Sequence, residues 1–229
     1  MTRRDFKLAR KRRGWTQKET AERLGVSQPY MALFENGKRE FGPKLKEKAV
    51  KVLRLPATVL PLREELQGKV DPQRLAQQFA SLGYPGFAYL HPARKRNPAE
   101  VLLTALAQDD LESRLAEALP WLLLRYTDMN GEWLVERARL RNLSNRLGFV
   151  VSLAKGVVAR MGDTVSTRYQ TLDRLEAQLR ESRLDKEDTL CQSSLSHRER
   201  EWLKEARPEE AAYWHLLTDW RPEHLQYVL

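Results

Sequence analysis

Between residues 6 and 62 apolar positions recur at helical spacing in short bursts, each closed by a glycine or an Asn-Gly pair. Phe6 and Leu8-Ala9 lie among Lys7, Arg10, Lys11, Arg12 and Arg13, which predicts a first short helix over 6–13 ended by Gly14. Thr16 offers an N-cap and Glu19, three residues on, completes a capping box. A second helix therefore carries Ala21 and Leu24 inward and stops at Gly25. Ser27 caps a third helix, which accepts Pro29 in its first turn and ends at Asn36-Gly37. On a helical wheel Ser27, Tyr30, Met31 and Phe34 share one arc, read as core. Gln28, Pro29, Ala32, Leu33 and Asn36 share the opposite arc, read as outward-facing. A fourth helix over 43–53 and a short fifth around 57–62 complete a five-helix bundle.

Apolar periodicity lapses across 67–72, where Gly68 and Pro72 fall together. This places a first domain at 1–66, a linker at 67–71 and a second domain at 72–229. Residues 72–82 form a helix, and 83–92 are too rich in Pro and Gly for one. Amphipathic segments follow at about 98–108, 111–127, 131–142, 143–160, 168–183, 196–206 and 208–219, with Pro120 expected to kink or break the second of these seven. The fold class is all-α with little or no sheet. Shifting the chain by 32 residues brings Glu100 onto Glu132, Leu102 onto Leu134, and Leu111-x-x-Arg114-Leu115 onto Leu143-x-x-Arg146-Leu147. That period suits stacked helix pairs of the HEAT or tetratricopeptide kind, and Leu-rich helices of an ordinary bundle can produce it as well. The aromatic, apolar C-terminal stretch 213–229 is expected to dock on its own domain or on a partner.

Charge changes this picture by its location. The 229 residues hold 40 Lys+Arg against 31 Asp+Glu, a net +9. Residues 1–56 hold 16 basic and 6 acidic side chains, and residues 57–229 hold 24 and 25, so the excess lies in the first quarter. A compact basic unit joined to a larger near-neutral one is the arrangement of a polyanion-binding module with a separate regulatory or assembly domain. The single cysteine, Cys191, excludes an internal disulfide framework and zinc sites of the CxxC…CxxC kind. The longest apolar run, 118–124, is far short of the ~18 residues of a bilayer span, and the start lacks the apolar region of a signal peptide. A cytoplasmic, nucleoid-associated protein is expected.

The scattered histidines, His91, His197, His215 and His224, fit no HExxH, and no P-loop, GxGxxG or GxSxG is present. No catalytic residue, metal site or cofactor is expected. Asp109-Asp110-x-Glu112 reads as an acidic helix start, Cys191 as an inert thiol, and Arg94-Lys95-Arg96 as a solvated loop or a further phosphate contact.

The ordered set Arg10, Gly14, Thr16-Gln17, Ala21, Leu24-Gly25-Val26-Ser27-Gln28 and Glu35-Asn36-Gly37-Lys38 resembles the lambda-repressor-like (XRE-type) helix-turn-helix regulators over residues 6–62. The resemblance implies a double-stranded DNA operator as partner and a homodimer as the active form. It implies phosphate contacts from Gln17 and Lys38, with Arg39 beside Lys38, and base-facing positions at Gln28, Pro29, Ala32 and Leu33. Ser27 and Tyr30 complete the set at the start of the third helix, and Arg10 and Glu35 form an internal ion pair. Pro29, Ala32 and Leu33 depart from the polar or charged readers common in the family, so thymine-methyl contacts or DNA shape would supply specificity there. The segments 117–126 and 145–154 also resemble such regulators of bacterial toxin–antitoxin or phage-defence operons. That resemblance implies a repressor of its own or such an operon, with a toxin as possible partner. The competing expectation is an antitoxin or scaffold whose main work is binding a protein through the helical domain.

Overall fold

Each of the first three helices begins where a hydroxyl replaces a missing intrahelical partner. In α1 (Arg3–Arg12) Thr2 accepts from the Asp5 N–H and Asp5 accepts from the Thr2 N–H. In α2 (Gln17–Leu24) Thr16 and Glu19 make the same reciprocal pair. In α3 (Gln28–Glu35) the Ser27 hydroxyl accepts from the Tyr30 N–H, with Pro29 in the first turn. α1 starts earlier than apolar spacing predicts because the Thr2–Asp5 box precedes its first buried side chain, Phe6. After α4 (Pro43–Val52) the expected fifth helix is one 3-10 turn, Ala57–Val59. Pro61 accounts for this, since it pushes Leu60 into the extended conformation (φ −65°, ψ 149°).

The computed structural model describes residues 2–63 and 68–227 and divides into two units, Met1–Leu62 and Arg63–Leu229. In the first, Phe34 stacks on Phe41 at 3.6 Å and Phe6 meets both edge-on at 5.3 and 5.4 Å. Leu24, Met31, Ala49 and Leu53 close this core.

The second unit runs through α5 (Pro72–Leu82), a 3-10 turn at Pro85–Phe87, α6 (Pro98–Leu106), α7 (Ser113–Arg125), α8 (Gly131–Leu140), α9 (Ser144–Arg160) and α10 (Thr167–Arg180). β1 (Asp188–Thr189), α11 (His197–Ala206), α12 (Glu209–Tyr213) and β2 (Leu216–Leu217) follow, and the two short strands pair in parallel. The protein is all-α; besides that pairing the described residues make one isolated antiparallel bridge, Asp110–Gln192. α9 is the central post. Every residue from Ser144 to Ala154 is buried, as expected of a helix packed on all sides, here by α6, α7, α8, α10 and α12 among others.

Two further sequence expectations change. α7 continues through Pro120 as one helix, because the proline removes a single N–H while Ala118, Leu119, Trp121 and Leu122 around it are all buried. The segment 208–219 holds only the five-residue α12, and His215, with φ 52°, turns the chain into β2. Of the expected linker, residue 67 lies outside the described residues. Gly68 and Val70 are pinned to the second unit by the two ends of the Gln108 amide (3.2 and 3.0 Å), and Asp71 caps α5.

The aromatic tail docks in cis. Trp214 is fully buried and donates to Ser152 Oγ at 2.9 Å, Leu225 is buried, the Gln226 N–H reaches Glu117 at 2.8 Å, and the Tyr227 ring meets Tyr84. Gly148 makes this possible, since a Cβ there would lie 2.5 Å from the Trp214 ring. In the 32-residue correspondence Leu102, Leu134, Leu115 and Leu147 are all buried. Its polar positions diverge: Glu100 and Arg146 are buried, Glu132 and Arg114 exposed.

Candidate nucleic-acid interface

The α2–turn–α3 unit is set by Gly25, whose φ of +72° is costly for any residue with a Cβ. The Lys48 ammonium lies over this corner and donates to the Leu24 carbonyl at 2.8 Å. Beneath it, the Arg10 guanidinium forks onto Glu35 (2.7 and 2.9 Å) and donates a third bond to the Trp15 carbonyl at 2.8 Å. Gln17 Nε2 donates to the second Glu35 oxygen at 2.8 Å, and Gln28 Nε2 donates to Gln17 Oε1 at 3.2 Å. A continuous polar chain thus runs from α1 through the end of α3 and the start of α2 to the tip of α3. Burial raises the Glu35 pKa, but the Arg10 and Gln17 hydrogen bonds and the Arg10 and Lys7 charges outweigh it and hold the carboxyl below its ordinary value.

The structure places the anticipated contact residues unequally. Gln28, Pro29, Leu33, Lys38 and Arg39 are exposed and Ala32 is half-buried, so most of that arc is open to a ligand. The first N–H groups of α2, at Gln17 and Lys18, have no intrahelical acceptors. The Gln17 side chain, by contrast, already holds Glu35 and Gln28, and the Ser27 hydroxyl is engaged as cap. Tyr30 faces away from the open arc: its ring stacks near Phe41 at 5.9 Å and its hydroxyl donates to the Glu40 carbonyl at 3.0 Å.

Around α3 the cations divide by partner. Arg3 and Lys46 pair with Glu40, and Arg13 and Arg23 lie against Trp15. Lys18, Lys38, Arg39 and Lys44 have no ion pair among the described residues. The Gln17–Gln28 link and the Arg13–Trp15–Arg23 stack were missed in the sequence. Both join residues through turns, and only the spacing of two glutamines at two helix starts hinted at the first.

Residues 6–60 match a family described as Helix-turn-helix. No curated protein and no solved structure matches the chain. The first unit is thus a helix-turn-helix domain of the lambda-repressor-like (XRE) type, a DNA-binding fold.

Other motifs serve structure. Asp110 accepts from the Ser194 N–H and hydroxyl (3.0 and 2.7 Å), and Asp109 pairs with Lys69 at 2.8 Å. Cys191 is fully buried, and burial pushes its thiol up to about 11. Among the described residues no group of three or more His, Cys, Asp or Glu could hold a metal ion, and no helix is long and apolar enough to cross a membrane.

Proposed function

We propose that the chain is a sequence-specific double-stranded DNA-binding regulator, a repressor acting as a homodimer whose two α3 helices enter successive major grooves about 34 Å apart. The observation that carries this reading is the open arc of α3, Gln28, Pro29, Ala32 and Leu33, beside Lys38 and Arg39 in a segment of net +10. Gln28, whose Nε2 rests on Gln17, sits where a side-chain amide can pair with adenine. Pro29, Ala32 and Leu33 offer apolar contact to thymine methyls. Lys38, Arg39 and the N-terminus of α2 supply backbone contacts that set register without reading sequence.

The second unit, in this reading, supplies dimerisation and partner binding. It exposes Leu140, Met161, Val165 and Trp202, each more than half accessible, on a body of net charge −1. Its own operon, of the toxin–antitoxin or defence kind, is the expected target. Sedimentation of the full chain with a selected operator, combined with hydroxyl-radical footprinting, tests the proposal. Two chains per duplex with protected half-sites one helical turn apart are expected, and one chain per duplex with a single protected site would refute the dimer.

A further inference from the structure

Within the second unit the end of α7, the start of α8 and one face of α10 do not close fully on one another. They leave a hollow of about 220 Å³. Leu123, Tyr126, Leu134, Leu172 and Leu175 line it, and all five are buried. Two hydroxyls that could hold water there are already engaged: Tyr126 donates to the Leu82 carbonyl at 2.7 Å and Thr171 to the Thr167 carbonyl at 2.8 Å. An apolar cavity of about 150 Å³ is enough to stay dry and take up benzene, so this one has room for a ring or a short chain. Gly131, at the start of α8, also lines it. A Cβ there would meet Leu175 Cδ1 at 3.8 Å, an ordinary contact, so a longer side chain would begin against the lining and take up the space that glycine leaves.

The rim has a different chemistry. Arg168 and Arg174 of α10 belong to the lining, the first half-buried and the second exposed, and neither has an ion pair among the described residues. Other cations of α9 and α10 are paired: Lys155 with Asp173 and Glu176, Arg180 with Glu176, and Arg160 with Glu223. The lining holds one carboxylate, that of the exposed Glu132, which pairs with neither arginine. Two guanidinium groups against one carboxylate leave the rim positive. An arginine cannot shed its charge by losing a proton, and a cation beside an apolar hollow is poorly screened, so the rim favours an anion over a neutral group.

We propose that this hollow is a binding site for a small organic acid, its hydrocarbon or aromatic body among the leucines and its carboxylate held at the rim by Arg168 and Arg174. An apolar floor with a few charged groups at its edge is the make-up of a small-molecule site, and planar guanidinium donors match carboxylate oxygens. The rim chooses among occupants. An apolar side chain from a second copy of this chain would fill the floor and leave both guanidinium groups unpaired, whereas an acid satisfies floor and rim together. The site lies wholly within the second unit and does not depend on the DNA-binding reading.

The test is calorimetric titration of the full-length protein with benzoate, hexanoate and octanoate, and with the uncharged benzyl alcohol, hexan-1-ol and octan-1-ol. At least one acid should bind as a single molecule per chain, with its alcohol about tenfold weaker, the worth of a charge-assisted contact. Arg168→Gln/Arg174→Gln should bring that acid down to the level of its alcohol, with circular dichroism as in the parent, and Arg168→Lys/Arg174→Lys should retain part of the difference. Gly131→Leu, which plugs the hollow, should abolish binding of acid and alcohol alike. The proposal is overturned if none of the three acids binds the parent, if acid and alcohol bind equally, or if the acid's affinity survives both the glutamine pair and the plug. It is equally overturned if Gly131→Leu turns a self-associating protein into a monomer while acid binding persists, which would give the hollow to a second copy.

Discussion

The two units handle charge in opposite ways. The helix-turn-helix unit keeps most of its cations at the surface and buries one ion pair, Arg10–Glu35, as part of the device that positions α3. The second unit draws polar groups inward. Arg146 crosses from α9 to donate to Asp188 (2.7 and 3.0 Å) and to the Leu106 and Gln108 carbonyls (2.9 and 3.0 Å). Glu176 of α10 accepts from Ser152 at 2.6 Å, from Lys155, and from Arg180 at 3.2 Å, while Ser152 also receives the Trp214 indole. Each unit is therefore specified in its own manner: the first by short-range caps and glycines around a small aromatic core, the second by polar ties between elements far apart in the chain.

The largest effect that could undo this contrast is at Arg146. Replacing it by Ala takes the guanidinium bonds from Asp188, which keeps the Thr189 N–H, and from two buried carbonyls, and should cost roughly 3–5 kcal/mol, confined to the second unit. Chemical denaturation checks this, since Trp15 alone reports on the first unit and the other five tryptophans on the second. Loss of both signals together would contradict the independence of the two cores.

A smaller loss is expected for Glu35→Gln, which weakens the acceptor of both Arg10 and Gln17. About 1.5–3 kcal/mol should be lost from the first unit. Duplex affinity should fall most on the preferred sequence, because the Gln17–Gln28 alignment that holds the reading amide loosens. Unfolding followed at Trp15, with binding on matched and scrambled duplexes, measures both.

Acid separates the units more gently. Burial raises the Asp188 pKa, but the Arg146 hydrogen bonds and charge prevail, and its carboxyl, like that of Glu35, lies below the ordinary range. Each therefore contributes stability that is full above the unfolded-state value and is lost as pH falls through the lower folded-state value. Glu100 runs the other way. Burial raises its pKa despite Arg96 and Arg63, so the second unit gains from its protonation as pH falls through the raised value toward the ordinary one of 4.5. Unfolding from pH 7 to pH 3 should show the first unit weakening monotonically and the second holding before it declines. Glu100→Gln should remove that delay.

What was legible in the sequence follows from the range of the interactions. Thr16, Glu19, Gly25, Ser27 and Asn36-Gly37 mark helix boundaries through contacts three or four residues apart, and the structure has those boundaries where the residues place them. The outward arc of α3 followed from the same local geometry, except that Tyr30, counted both as core and as contact, turns its hydroxyl to Glu40. In the second unit the helices could be placed by apolar period. The path through Pro120, the left-handed His215 and the β1–β2 pairing could not, because each is decided by burial against distant elements. Arg146 is one more arginine in the sequence, and nothing local marks it as the partner of Asp188, 42 residues on.

Smaller still is the change at Lys38. Replacement by Ala should weaken matched and scrambled duplexes equally and lower the salt slope by about one unit, as read from a binding series at several salt concentrations. Whether the open arc of α3 reads bases is decided by Gln28→Ala in the full chain, measured against a library of operator variants. A loss of about 1–3 kcal/mol on the preferred operator and relaxed preference at one base pair are expected, with the salt slope unchanged. Unaltered affinity and preference at every base pair would contradict base reading by this helix and place a different surface in the groove.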